Sequence, residues 1–226
     1  MKGTKNDKER ELRERLSANP EDFGAHYELG VLLSEQGKYP EAAKEFREAI
    51  RIRPEYAEAH NELGTVLFEM RHDEEALDEF IKAIEINPEF VEAHLNLGYA
   101  VFYLEPDRWE AEEEFRRAIS IEPDNSRAHY GLGLVLSYGI REGEFSDFSE
   151  EEKREYAREA EKEFREVIRL DPEFAEAYLS LGELLSELGK FNKARKEIEK
   201  AIELFEKKGR KEDAEKARKL LRGLPK

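Results

Sequence analysis

No cysteine occurs among the 226 residues. That excludes disulfides, thiol nucleophiles and every cysteine-based metal site. Methionine is nearly absent, with two residues, and positive charge is in deficit: 38 Lys and Arg face 54 Asp and Glu, a formal charge of −16. Nucleic acid demands a basic surface, so this balance argues against it, and against anionic membranes as well. The opening MKGTKNDKERELRERL lacks the apolar stretch of a secretory leader, and no run reaches the length of a membrane span. The expectation is a soluble cytoplasmic protein. Abundant Glu, Lys and Arg fit a heat-adapted and a designed chain equally.

What is present is periodic. Pro20, Pro54, Pro88, Pro123 and Pro172 each follow an apolar helical run and precede an Ala-rich one. Between them recur AHYELG (25–30), AHNELG (59–64), AHLNLG (93–98), AHYGLG (128–133) and AYLSLG (177–182). A second signature follows each, a small residue and then a large apolar one four positions on. These are Ala42/Phe46, Ala76/Phe80, Ala111/Phe115, Ala160/Phe164 and Ala194/Ile198. A mid-helix glycine costs about 1 kcal/mol relative to alanine, so a close helix neighbour is the expected compensation. A helix pair of this size cannot bury its apolar face alone, and stacking on neighbours supplies the core.

With its Leu-Gly, Ala, aromatic and Pro pattern, the chain resembles the tetratricopeptide repeat family. The resemblance implies an all-α fold, a right-handed superhelical solenoid of helix-turn-helix repeats. The repeats are placed at 23–56, 57–90, 91–125, 126–174 and 175–208, the fourth with an insertion near 139–153. Residues 1–22 then form an N-terminal tail and half-repeat capping helix. Residues 209–226 form a C-terminal cap, with Ala214, Ala217, Leu220 and Leu221 on its inner face.

Few residues suggest chemistry. His26, His60, His94 and His129 share one repeat position. Stacked helices lie about 8–10 Å apart, too far for histidines of adjacent repeats to share a zinc, so these read as structural. Glu45, Arg47, Glu48 and Arg51 read as solvated i, i+4 partners. No strand precedes a glycine-rich phosphate loop, and no motif activates a Ser or Lys. A non-enzymatic protein without cofactor or metal is expected.

The remaining signal lies on the first helices. At 100° per residue, Ala93, Leu97, Ala100, Val101 and Leu104 share one face of the third. Leu95, Tyr99 and Phe102 share the opposite one, with Tyr103 beside them, so this helix is apolar on both sides. Equivalent positions hold Tyr27 and Val31, then Asn61, Thr65 and Phe68, and in the fourth repeat Tyr130, Leu134 and Tyr138. The resemblance implies that these twelve residues line a concave, ligand-binding groove. Glu28, Glu35, Glu58, Glu62, Glu69, Glu92 and Glu176 surround it, with Arg127 the main exception. The family's carboxylate clamp for acidic chaperone tails uses Lys, Asn and Arg. Here Tyr27, Val31, Asn61, Glu62 and Glu92 stand there and only Asn96 suits, so that ligand does not carry over.

The insertion places Phe145 and Phe148 in a loop, either packed on the neighbouring repeat or folded over the groove. Ser149 and Glu152 have capping-box spacing, which predicts a helix start near 150. The turn Glu105-Pro106-Asp107, with Trp109, is expected to re-aim one helix. The function expected is a protein-interaction module that binds a peptide or helix with apolar or aromatic anchors, with room for basic flanks. The alternatives are a self-assembling scaffold, a homo-oligomer whose groove takes the basic KARKLLRGLPK terminus of another copy, and a designed repeat protein without a natural ligand.

Overall fold

The computed structural model describes residues 5–104, 109–141 and 149–225, with side chains from 6 onward and not beyond 138 in the middle segment. The chain divides into two compact units, Met1–Asp107 and Arg108–Lys226. The first holds α1 (Lys5–Ala18), α2 (Phe23–Glu35), α3 (Tyr39–Ile52), α4 (Ala57–Glu69), α5 (Asp73–Ile86) and α6 (Val91–Leu104). The second holds α7 (Trp109–Ile121), α8 (Ser126–Arg141), α9 (Glu150–Leu170), α10 (Ala175–Glu187), α11 (Phe191–Lys207) and α12 (Lys211–Gly223). No strand occurs among the described residues, as the all-α expectation requires. None of the described helices is long and apolar enough to cross a membrane.

Within each unit, consecutive helices pack antiparallel against one another. Their sequences dictate which face turns inward. In α3, Ala42, Ala43, Phe46 and Ala49 recur at helical spacing and all are fully buried. Pro40 occupies the first turn, where its missing N–H costs nothing. The large side chains Phe46, Phe80, Phe164 and Ile198 of α3, α5, α9 and α11 fill notches left by Gly30, Gly64, Gly133 and Gly182: a Cβ on Gly64 would lie 2.7 Å from the Phe80 ring. Gly131, outside the repeated Leu-Gly position, gives Phe115 the same room.

The turns after α2, α4, α10 and α11 each hold a left-handed residue. Gly37 has φ 72°, its N–H bonds the Ser34 carbonyl at 2.9 Å, and Lys38 N–H reaches back to Leu33 at 2.9 Å. Gly189 and Gly209 repeat this arrangement. Arg71, at φ 63°, stands in the same place after α4 without the freedom that glycine brings.

The turns ahead of α2, α6 and α10 use side-chain oxygen instead. Asn19, Asn87 and Asp171, each before a proline, accept the N–H two residues on at 3.2, 3.2 and 2.9 Å. At the ends, Leu12 of α1, a helix packed on α2, is buried, and so are Ala214 and Ala217 of α12 and Leu224 just beyond it. The start of α9 carries the expected box: Ser149 Oγ accepts Glu152 N–H and the Glu152 carboxylate accepts Ser149 N–H. Phe145, Phe148 and the turn at 105–107 lie outside the described residues.

Candidate functional site

The four motif histidines are buried, as structural residues should be, and their hydrogen bonds explain why. Nδ1 of His26, His60 and His129 lies 2.7, 2.6 and 2.5 Å from a carboxylate oxygen of Glu45, Glu79 and Glu163. Nε2 lies 3.0, 2.9 and 2.8 Å from the carbonyls of Pro20, Pro54 and Pro123, and that of His94 lies 3.0 Å from Pro88. Each ring thus ties its first helix to the preceding turn, and the rings of His26, His60 and His129 tie α2, α4 and α8 also to α3, α5 and α9. Glu45 is therefore not a solvated partner on the helix surface. Nor do its neighbours pair at i, i+4: Arg47 reaches Glu75 at 3.1 Å, and Arg51 bonds Glu48 and, at 2.7 Å, Glu21. Arg47 thus faces the next second helix, α5, whereas Arg51 pairs within α3 and with the turn before α2. No group of three His, Asp or Glu among the described residues could hold a metal.

In the first unit the predicted groove residues separate by depth. Leu95 is fully buried, against its expected place on the wet face. The reason is that α6 has α4 as well as α5 beside it, so two sides of the helix are covered. Asn61 is 2% exposed, and its amide oxygen accepts Asn96 Nδ2 at 2.9 Å. Thr65 hydroxyl donates to the Asn61 carbonyl at 3.0 Å. Val31, Thr65, Phe68, Tyr99 and Phe102 are half-buried. Tyr103 is 67% exposed, with the Phe102 ring edge-on at 5.3 Å.

Tyr27 belongs to an aromatic cluster that the groove pattern did not contain. Its ring meets Tyr56 edge-on at 5.3 Å, and Phe23 meets Tyr56 at 4.9 Å. The Arg53 guanidinium sits 4.2 Å above Phe23, so this cluster already receives a cation on a ring face. Burial, helped by the charges of Glu62 and Glu58, pushes the Tyr27 phenol up to about 12. Burial and the neighbouring Glu92 also raise the Glu62 carboxyl above the usual carboxylate range. A signal for the cluster existed: Tyr56, Phe90 and Phe174 stand directly before α4, α6 and α10, and Phe23 opens α2.

In the second unit, Tyr130 packs 4.9 Å from Phe174 and its hydroxyl lies 3.3 Å from Ser180 Oγ, which joins α8 to α10. Leu134 and Tyr138 are half-buried on α8. A depression of about 460 Å³ lies between α10 and α12, lined by Ser186, Lys216, Lys219, Leu220, Gly223 and Leu224. Within the basic terminus Ala217 and Leu224 are buried, and Leu220 and Leu221 are half-buried.

The sequence matches the description "TPR repeat" at residues 32–70 and 73–104, and "Tetratricopeptide repeat" at 157–208. Among curated proteins, none matches it. Solved structures with the same fold include the MamA protein, 23% identical over 83% of this chain and 94% of its own, with a TM-score of 0.65. They include YrrB, described as a TPR protein with an unusual peptide-binding site, 23% identical over 92% and 97%, TM-score 0.65. A tetratricopeptide repeat protein from Parabacteroides merdae is 20% identical over 96% and 86%, TM-score 0.66. Glycine notches filled by second-helix aromatics, proline turns and antiparallel pairs in both units agree with these matches, and the chain belongs to the tetratricopeptide repeat family.

Proposed function

We propose that the chain is a non-enzymatic, cytoplasmic interaction module that holds a peptide or helix with apolar or aromatic anchors and basic flanks. The observation that carries this reading is Tyr103, an aromatic side chain two-thirds exposed and backed by Phe102 in an otherwise charged chain. Tyr27, Val31, Thr65, Phe68 and Tyr99 extend the contact surface on the first unit. Leu95 and Asn61 support it from beneath. Tyr130, Leu134 and Tyr138 offer a second face on α8. Glu28, Glu58, Glu62 and Glu92 supply the negative charge that favours Lys or Arg beside the anchor, and Arg53 on Phe23 illustrates the affinity of these rings for a guanidinium.

Selection from a displayed peptide library tests this with wild type and a Phe102→Ala/Tyr103→Ala variant. Wild type should enrich sequences that join an aromatic or aliphatic anchor to a basic residue. The variant should bind them about tenfold or more weakly, the loss typical of a truncated anchor. Equal binding by the two proteins would remove α6 from the site, and enrichment of acidic peptides would overturn the charge assignment.

A further inference from the structure

The histidine contacts contain a protonation requirement. A carboxylate and a peptide carbonyl both accept hydrogen bonds, and neither donates. His60 presents Nδ1 to Glu79 at 2.6 Å and Nε2 to the Pro54 carbonyl at 2.9 Å. His129 presents Nδ1 to Glu163 at 2.5 Å and Nε2 to the Pro123 carbonyl at 2.8 Å. A neutral imidazole has one N–H. In either tautomer one ring lone pair would face an acceptor oxygen at less than 3 Å, inside a buried site. Both bonds can form together only with both nitrogens protonated.

We propose that His60 and His129 are imidazolium staples, which lock first helix, second helix and preceding turn together while protonated and release the turn when the proton is lost. The fold is thereby tightened by mild acid and loosened by base at these two junctions. The charges around each ring favour the cation. Glu79 and Lys82, both from α5, are the charged groups acting on His60, and Lys82 bonds the other oxygen of Glu79 at 2.8 Å. Glu163 and Glu166 from α9 act on His129, and Lys162 lies 3.4 Å from the second oxygen of Glu163. The glutamate bond raises each histidine above its ordinary value of 6.5, against the opposing effect of burial. The same contacts hold Glu79 and Glu163 below 4.5, so each carboxylate remains an anion and an acceptor.

The fifth repeat provides an internal reference. Tyr178 replaces the histidine there, and a phenol has one proton to give. Its junction has no staple of this kind to lose.

Imidazole nitrogen NMR on the intact chain reads the protonation directly, with a blocked histidine dipeptide in the same sample as the reference ring. At a pH where that dipeptide is neutral, His60 and His129 should still show both nitrogens protonated. Hydrogen exchange over 53–60 and 123–129, normalised to 172–178, should then rise about tenfold or more with further alkalinisation, as expected when a charge-assisted bond is lost. Glu79→Gln should lower the pH at which His60 loses its proton and leave His129 unchanged. If that variant does not fold, the wild-type spectra still decide. A neutral single tautomer at His60 and His129 as soon as the dipeptide is neutral would overturn the proposal, and so would exchange that rises equally at 172–178.

Discussion

Gly64 stands in the middle of α4 because Phe80 needs its space. A Cβ there would meet Phe80 Cε1 at 2.7 Å and the Ala76 carbonyl oxygen at 3.1 Å. Alanine gains about 1 kcal/mol of helix propensity, and overpacking a buried ring costs about 1–3 kcal/mol. Because backbone as well as a fully packed ring would have to give, Gly64→Ala should destabilise the fold by about 1 kcal/mol or more in urea denaturation. An increase in stability would show that the ring moves freely. Arg71 is the converse case. It holds φ 63° where the related turns use glycine, and its ion pair with Asp73, 3.6 Å apart on the surface, offers little in return. The left-handed strain of about 1–2 kcal/mol exceeds the entropy cost of glycine, about 0.5–1 kcal/mol. Arg71→Gly should therefore raise the unfolding midpoint, by up to about 1 kcal/mol; a lower midpoint would assign that turn to the arginine side chain.

Between elements, the pair Asn61–Asn96 joins α4 to α6 through a buried amide contact. Asn96→Leu strands the Asn61 oxygen, and an unpaired buried polar group costs about 1–3 kcal/mol. Replacing both by leucine removes the polar demand altogether, so the double variant should recover most of that loss in a double-mutant cycle. Additive losses would mean that the two amides act independently. This contact also marks the limit of what the sequence reveals. Helix pairing is legible because Pro, Ala and Gly recur in register, and the start of α9 because Ser149 and Glu152 carry a cap in their spacing. The depth of Leu95 is not legible. A wheel drawn for α6 separates two faces, and only the presence of α4 beside it tells that part of the outer face is covered. For the same reason Asn61 reads as a groove residue and proves to be an inter-helix bond. The glutamates that bind the histidines are hidden among so many carboxylates that only the distances single them out.

At the scale of the whole molecule, the staples predict where stability lies on the pH axis. Each histidine is raised in the folded state, so its contribution is complete below 6.5 and is lost as pH climbs through the folded value. Each partner glutamate is lowered, so its contribution is complete above 4.5 and is lost as pH falls through its folded value. The two conditions overlap between 4.5 and 6.5, and thermal stability should be greatest there and decline on the alkaline side. The formal charge of −16 works in the same direction, because surplus carboxylates repel one another more strongly as the remaining imidazolium charge disappears. Salt separates the two causes. Repulsion between exposed charges more than about 8 Å apart is screened at physiological ionic strength, whereas a hydrogen-bonded buried pair is screened much less. Melting curves recorded across pH at low and high salt should keep a downward alkaline slope in both. The Glu79→Gln/Glu163→Gln variant should lose the part that survives salt. If high salt abolishes the slope in the wild type, net charge alone explains it and the histidines contribute nothing to the pH response of the fold.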